Sequence, residues 1–183
     1  MGVRYRALLV MLVVILGAWG CIGPKVRTDF DPAADFTTFR TYAFAGMTDL
    51  NQSGALDNSL IRKRLEAMVG QQLSSKGLRQ VGLEEHPDLL VHHWVTVKDK
   101  QRVQSTGPMV GPYGRREYGE VITTYNYEEG TLIIDLVTPS KNELVWRGSI
   151  VSPLADSKEE NMQMVIKAIA KAFEDYPPKS KNP

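Results

Sequence analysis

Cysteine is almost absent from this chain of 183 residues, Cys21 being the only one, which excludes a disulfide framework and any thiolate metal cluster. Histidine is scarce as well, with His86, His92 and His93 the full complement. No block of basic residues occurs, and 22 lysines and arginines stand against 21 acidic residues. A chain so balanced has no electrostatic footprint for nucleic acid. Catalytic signatures are missing too: no GxSxG elbow surrounds Ser149 or Ser152, and the glycines between residues 107 and 119 form no phosphate-cradling GxxxxGK loop. Long apolar runs are lacking with one exception. Ala7 to Trp19 carries no charge, yet at about 1.5 Å per helical residue it reaches only roughly 20 Å, against a hydrocarbon core of roughly 30 Å, which disfavours a permanent transmembrane helix.

What that segment offers instead is an export signal. Arg4 and Arg6 form a positive n-region, the apolar run follows, and the small residues Ala18 and Gly20 flank Trp19 just before Cys21. Cleavage after Gly20 fits the small-x-small rule. The segment resembles a bacterial lipoprotein signal, whose terminal cysteine is acylated, with palmitate-type chains, and becomes the first residue of the mature protein. Ala18 stands where the usual lipobox has leucine, and Trp19 where a small residue is commoner. Ordinary secretory cleavage at the same bond is the alternative; it would release a soluble periplasmic or secreted protein. A lone cysteine placed directly after the small residue that closes the apolar run favours acylation of Cys21.

Removing residues 1–20 leaves 163 residues, and the loss of Arg4 and Arg6 turns the net charge from +1 to −1. Membrane attachment then rests on acyl chains, each buried methylene contributing about 0.8 kcal/mol. By resemblance to enteric sorting, Ile22 in place of aspartate implies the outer membrane, with the domain facing the periplasm. Residues 21–25 are a short tether, which at roughly 3.5 Å per extended residue reaches on the order of 15 to 20 Å. There is no Ser/Gly stalk.

The remainder reads as one domain, residues 26–176, with residues 177–183 as a disordered tail. VRTDF and FRTYAF alternate with period two, as half-buried strands do, around a DPAADF turn. Leu60, Ile61, Leu65, Met68, Val69 and Leu73 recur at helical spacing over about 55–76, and Gly77 is placed to stop that helix. LRQV is a short segment, and DLLVHHWVTV is the strongest strand signal in the chain. Residues 101–119, rich in glycine and proline, read as a long loop. EVITTYNYEEGTLIIDLV reads as two strands joined near Glu129 and Gly130, followed by LVWRGSIV, so that successive antiparallel strands are expected. Ser157 and Glu160 form a capping box for a last helix carrying Met162, Val165, Ile166, Ile169, Phe173 and Tyr176, stopped by Pro177 and Pro178. The expected class is α+β: a mainly antiparallel β-sheet covered on one face by two amphipathic α-helices.

In that order of segments the chain resembles the bacterial envelope lipoproteins grouped as domain of unknown function 4136. The stretches that carry the resemblance are VRTDFDPAADFTTFRTYAF, LSSKGLRQV, HPDLLVHHWVTV, EGTLIIDLVTPSKNELVWRGSI and AFEDYPP, which span most of residues 26–178. It implies export, usually lipidation, and an α/β or α+β domain. It implies no reaction, so no catalytic residue is carried over.

Each candidate for chemistry has a structural competitor. His92 and His93 are adjacent on a strand, so their side chains diverge and cannot share a metal; a histidine packed under a helix and bonded to a carbonyl is the simpler account, and no metal or other cofactor is expected. Asp135 shares a strand face with Ile133 and Val137, and if buried it needs a partner, for which Arg147 on the next strand is the candidate. A structural ion pair outweighs a general acid or base there. Tyr113, Arg115, Arg116 and Tyr118, in the glycine-rich loop, are the candidate binding residues, because aromatics and arginine contribute most at interfaces.

The expectation is therefore a non-enzymatic, lipid-anchored interaction or accessory protein that binds an envelope protein near the membrane surface. The alternative is a small-molecule or lipid binding module, with a pocket between sheet and helices lined by residues such as Trp94, Trp146 and Phe173.

Overall fold

A computed structural model describes residues 23–45, 59–106, 109–110, 116–117 and 121–179. The strands are β1 (Lys25–Phe30), β2 (Thr41–Phe44), β3 (Arg79–Gln80), β4 (Leu89–Thr106), β5 (Met109–Val110), β6 (Arg116–Glu117), β7 (Val121–Thr138) and β8 (Glu143–Pro153). The helices are α1 (Ser59–Ser75) and α2 (Lys158–Ala172). Six strands form a mixed sheet in the order β1-β8-β7-β4-β2-β3, while β5 and β6 pair only with each other. The pairs β1·β8, β8·β7 and β7·β4 are antiparallel, and β2 is parallel to both β3 and β4. The class is α+β.

Period-two alternation decides which side of this sheet is covered. Leu89 and Val91 of β4, Leu132, Ile134 and Leu136 of β7, and Ile150 of β8 are all buried on one face. Leu65, Val69 and Leu73 of α1, with Ala168, Ile169 and Ala172 of α2 and Phe173 just beyond it, join them in a single core. Both helices therefore lie on the same face. At the edge of the core, Trp146 and Phe173 stack with ring centroids 4.7 Å apart, and Tyr176 closes on both edge-on.

Helix ends follow local chemistry. Gly77, at φ +89°, takes the left-handed position that ends α1, and the N–H of Leu78 donates back to the carbonyl of Leu73 at 3.1 Å. The hydroxyl of Ser157 accepts from the N–H of Glu160 at 3.3 Å at the start of α2.

Three expectations are corrected. Residues 101–106 are not loop but the far end of β4, and β5 and β6 form a small ladder within the stretch that follows. Glu129 and Gly130 mark no turn, because β7 runs unbroken for 18 residues. Gly130 is a notch: a Cβ there would lie 2.9 Å from the side chain of Leu154, which the missing methyl admits. Leu60 and Ile166, assigned to the apolar stripes, are 64% and 40% exposed, whereas Ala168 and Ala172, which the stripe reading passed over, are buried. β2 runs parallel to β3 and β4 at one edge of a sheet that is otherwise antiparallel, as expected of a mainly antiparallel sheet. Residues 55–58 of the first expected helix lie outside the described residues.

Candidate functional site: a two-stranded arm and an ion-paired sheet face

Beyond the sheet, β4 and β7 continue together. Their register runs without interruption from Leu90↔Val137 to Thr106↔Val121, whereas β8 leaves β7 at Glu129↔Pro153. The pairs from Asp99↔Glu128 outward have no third strand among the described residues, and at about 3.4 Å per residue they project for about 27 Å. A lone two-stranded ribbon in water is only marginally stable. Cross-strand contacts support this one: Lys100 lies 3.6 Å from Glu129, and the guanidinium of Arg102 sits 5.8 Å from the ring centre of Tyr127. On the other side of the arm, Val103 and Ile122 are 64% and 63% exposed. They occupy neighbouring rows, since Val103 faces Thr124 and Ser105 faces Ile122. Two adjacent apolar side chains are thus held out in water, where they add nothing to the stability of the fold.

Asp135 and Arg147 stand directly opposite each other on β7 and β8, on the helix-free face. The guanidinium grips the carboxylate with both arms: Nε donates to Oδ1 at 2.6 Å and Nη2 to Oδ2 at 2.5 Å. The aspartate side chain is only 5% exposed, while Arg147, at 46%, roofs it against solvent. Hydrogen bonding to Asp135 raises the Arg147 pKa, burial opposes this, and the charges of Asp135 and Asp29 add to the rise. The arrangement places a cation against a buried carboxylate, with both of its oxygens accepting from the guanidinium.

The two neighbouring histidines diverge. His92, opposite Asp135 in the ladder, lies on the helix-free face with its ring stacked on Trp94, 5.9 Å away at 9°. His93 is buried under α1 with Phe44 edge-on at 6.4 Å, and its Nε2 has no hydrogen-bond partner. The expected bond from a packed histidine to a carbonyl is thus not made at Nε2. Burial lowers the His93 pKa most; Glu66 acts to raise it, and Arg62 and His92 to lower it. His86 ends a 3-10 turn with φ 53°. No group of three metal-ligating side chains occurs among the described residues.

The residues named for the pocket alternative do not meet. Trp94 is on one face of the sheet, while Trp146 and Phe173 are stacked in the core on the other. A different cleft, of about 440 Å³, opens between α1 and the β2–β3 edge, lined among others by Tyr42, Lys63, Glu66, Gln71 and Gln80. Sequence reasoning missed it because its residues come from three separate segments. Tyr113, Arg115 and Tyr118 lie outside the described residues, as do Ala18, Gly20 and Cys21; of Arg116 only the backbone is described, paired with Val110 in β6.

No protein of curated function matches the chain in sequence. Among solved structures, a PDZ domain protein from Parabacteroides distasonis is similar, with a TM-score of 0.56 at 14% identity over 86% of this chain. The chain spans 37% of that protein's length, so the likeness is one of fold. A PelC dodecamer from Paraburkholderia phytofirmans aligns with 82% of this chain and 94% of its own, at 12% identity and a TM-score of 0.45. The family model described as Domain of unknown function (DUF4136) matches residues 26–178, from the first strand to the turn that follows α2, and the chain belongs to that family.

Proposed function

We propose that this domain is a lipid-anchored, periplasm-facing accessory module of the outer membrane, held by acyl chains on Cys21, that binds an envelope protein through its two-stranded arm. The arm carries the reading. Eighteen-residue strands that serve the core over only half their length expose the other half for contact, with Val103 and Ile122 as its apolar centre. The sequence supports the anchor through the apolar run, the small residues before Cys21 and the absence of any other cysteine.

The test is to excise the arm at its root. Lys98 and Glu129 are a facing pair, so an Asn-Gly turn joining them replaces residues 99–128 by a two-residue hairpin. The expected result is an unchanged core melting transition with loss of the discrete adduct that a reporter on the body of the domain cross-links in cells. An adduct that survives excision overturns the role of the arm. Intact mass of the membrane-extracted protein checks the anchor independently: acylated residues 21–183 are expected, and an unmodified chain refutes it.

The cleft beside α1 favours a second reading, a small polar ligand held between Lys63, Glu66 and Gln80. Native mass spectrometry of the purified protein is expected to show bound mass in that case, and Glu66→Lys to remove it.

A further inference from the structure

The helix-free face of the sheet sorts its charges. Arg27, Ser149, Ile133 and Trp94 form one row across β1, β8, β7 and β4 on that side, and Asp29, Arg147, Asp135 and His92 form the next. Alternation carries the same side out along the arm, where Lys98, Lys100 and Arg102 share it with Tyr125 and Tyr127. Asp99, Glu128, Val103 and Ile122 take the opposite side. With Lys25, Arg27 and Arg147, the helix-free side of these four strands holds six cations against three acids, Asp29, Asp135 and Glu129. Cations interleaved with tyrosine and tryptophan are the side-chain set that suits a headgroup layer.

Where the chain enters the fold points the same way. Lys25 stands in the row of Val151, Thr131 and Thr96, one row short of the arm's root, so residues before it leave the sheet at the arm end. From that row to Thr106 the arm extends about 33 Å, whereas the tether of residues 21–25 reaches on the order of 15 to 20 Å. Standing on end with the arm toward the bilayer would drive its tip about 15 Å past the anchor. Standing the other way would require the tether to turn back along β1, six residues and about 20 Å long. Lying flat remains. With the helices downward the tether would have to span a helix diameter of about 10 Å, while the helix-free face needs only side-chain thickness.

We infer that the helix-free face of the sheet, with the basic and tyrosine-bearing side of the arm, lies flat on the anionic lipid headgroups of the membrane that anchors Cys21. The inference rests on the acylated-Cys21 reading. It turns Val103 and Ile122 away from the lipid, toward a protein partner.

Trp94 reports on this face, and Trp146, the other tryptophan after residue 20, is buried in the core. Membrane-extracted protein, reconstituted in phosphatidylethanolamine and phosphatidylglycerol vesicles with a headgroup nitroxide, is expected to lose most of its Trp94 emission. Trp94→Phe is expected to abolish the quenchable fraction. Lys98→Glu with Lys100→Glu and Arg102→Glu is expected to restore emission while the protein still pellets with the vesicles. Arg27→Glu acts in the same direction and carries the test if the triple variant does not fold. Arg64→Glu with Lys167→Glu, on the helices, is expected to change nothing. Unquenched Trp94 in pelleted wild-type protein overturns the inference and leaves the anchor standing, as does an equal response to helix and arm reversals. If the protein proves unacylated, the anchor reading falls and takes the tether argument with it, leaving the charge pattern of the face to be tested by itself. The soluble chain titrated with the same vesicles then either binds with Trp94 quenched and loses roughly 100-fold in affinity in the triple variant, about five-fold per cation, or shows no quenching, which overturns the face as a lipid surface.

Discussion

β4 and β7 live two lives. In the body they are flanked by β2 and β8 and roofed by α1 and α2, and Val91, Ile134 and Leu136 are fully buried. In the arm the same two strands are wet on both faces, and Val103 and Ile122 stand in solvent. The β4·β7 ladder is alike in both halves; the difference lies in the flanking strands and helices, which the body has and the arm lacks among the described residues. Apolar burial stabilises at roughly 25 cal/mol per Å², so stability gathers in the body, and the arm is free to be selected for contact.

Three measurements sharpen that contrast, from the largest effect to the smallest. Phe173→Ala removes a ring that is fully buried against Trp146 and Tyr176; a loss of about 3–5 kcal/mol in chemical denaturation is expected. A loss below about 1 kcal/mol would mean the aromatic cluster is not where stability resides.

His93 provides the second. Its pKa is lowered from 6.5 by burial, so the unfolded chain takes up a proton more readily than the folded one. The stability this histidine contributes is complete above 6.5 and is lost as pH falls below it. From pH 7.5 to pH 5.5 a loss is expected, its slope bounded by the one proton's worth of about 1.4 kcal/mol per pH unit. His93→Phe, which also removes the unpartnered Nε2, is expected to flatten that slope; an unchanged slope would assign the proton uptake elsewhere.

Val103→Ser with Ile122→Ser is expected to move stability by no more than about 0.5 kcal/mol, because neither side chain is buried. A cost near that of a core substitution would show that the arm is covered after all.

The body was largely legible in the sequence. DLLVHHWVTV shows itself as a strand through its β-branched and aromatic residues, and the spacing of Leu65, Val69 and Leu73 betrays a helix because one of its faces is dry. Leu60 and Ile166 fit the helical period equally well, but periodicity measures spacing and not how far the stripe extends beyond the sheet. The arm was hidden on physical grounds. Gln101 to Thr106 shows no alternation of apolar and polar residues, since water on both faces imposes none. Gly130 suggested a turn where it makes room for Leu154, a residue more than 20 positions away. The helix-free face itself was visible only in fragments. Asp135 stood out as a carboxylate among apolar neighbours, yet its place in a row with Asp29, Arg147 and His92 depends on the register of four strands, which no local pattern encodes.

The continuity of β4 and β7 also constrains how such an arm could change in length over evolutionary time. Because side chains alternate, a single inserted or deleted residue near Lys98 or Glu129 would exchange the two sides of everything distal to it, moving the lysines to where Val103 and Ile122 now point. Relatives with longer or shorter arms are therefore expected to differ by even numbers of residues in each strand, or to carry a bulge at the arm's root that restores the phase.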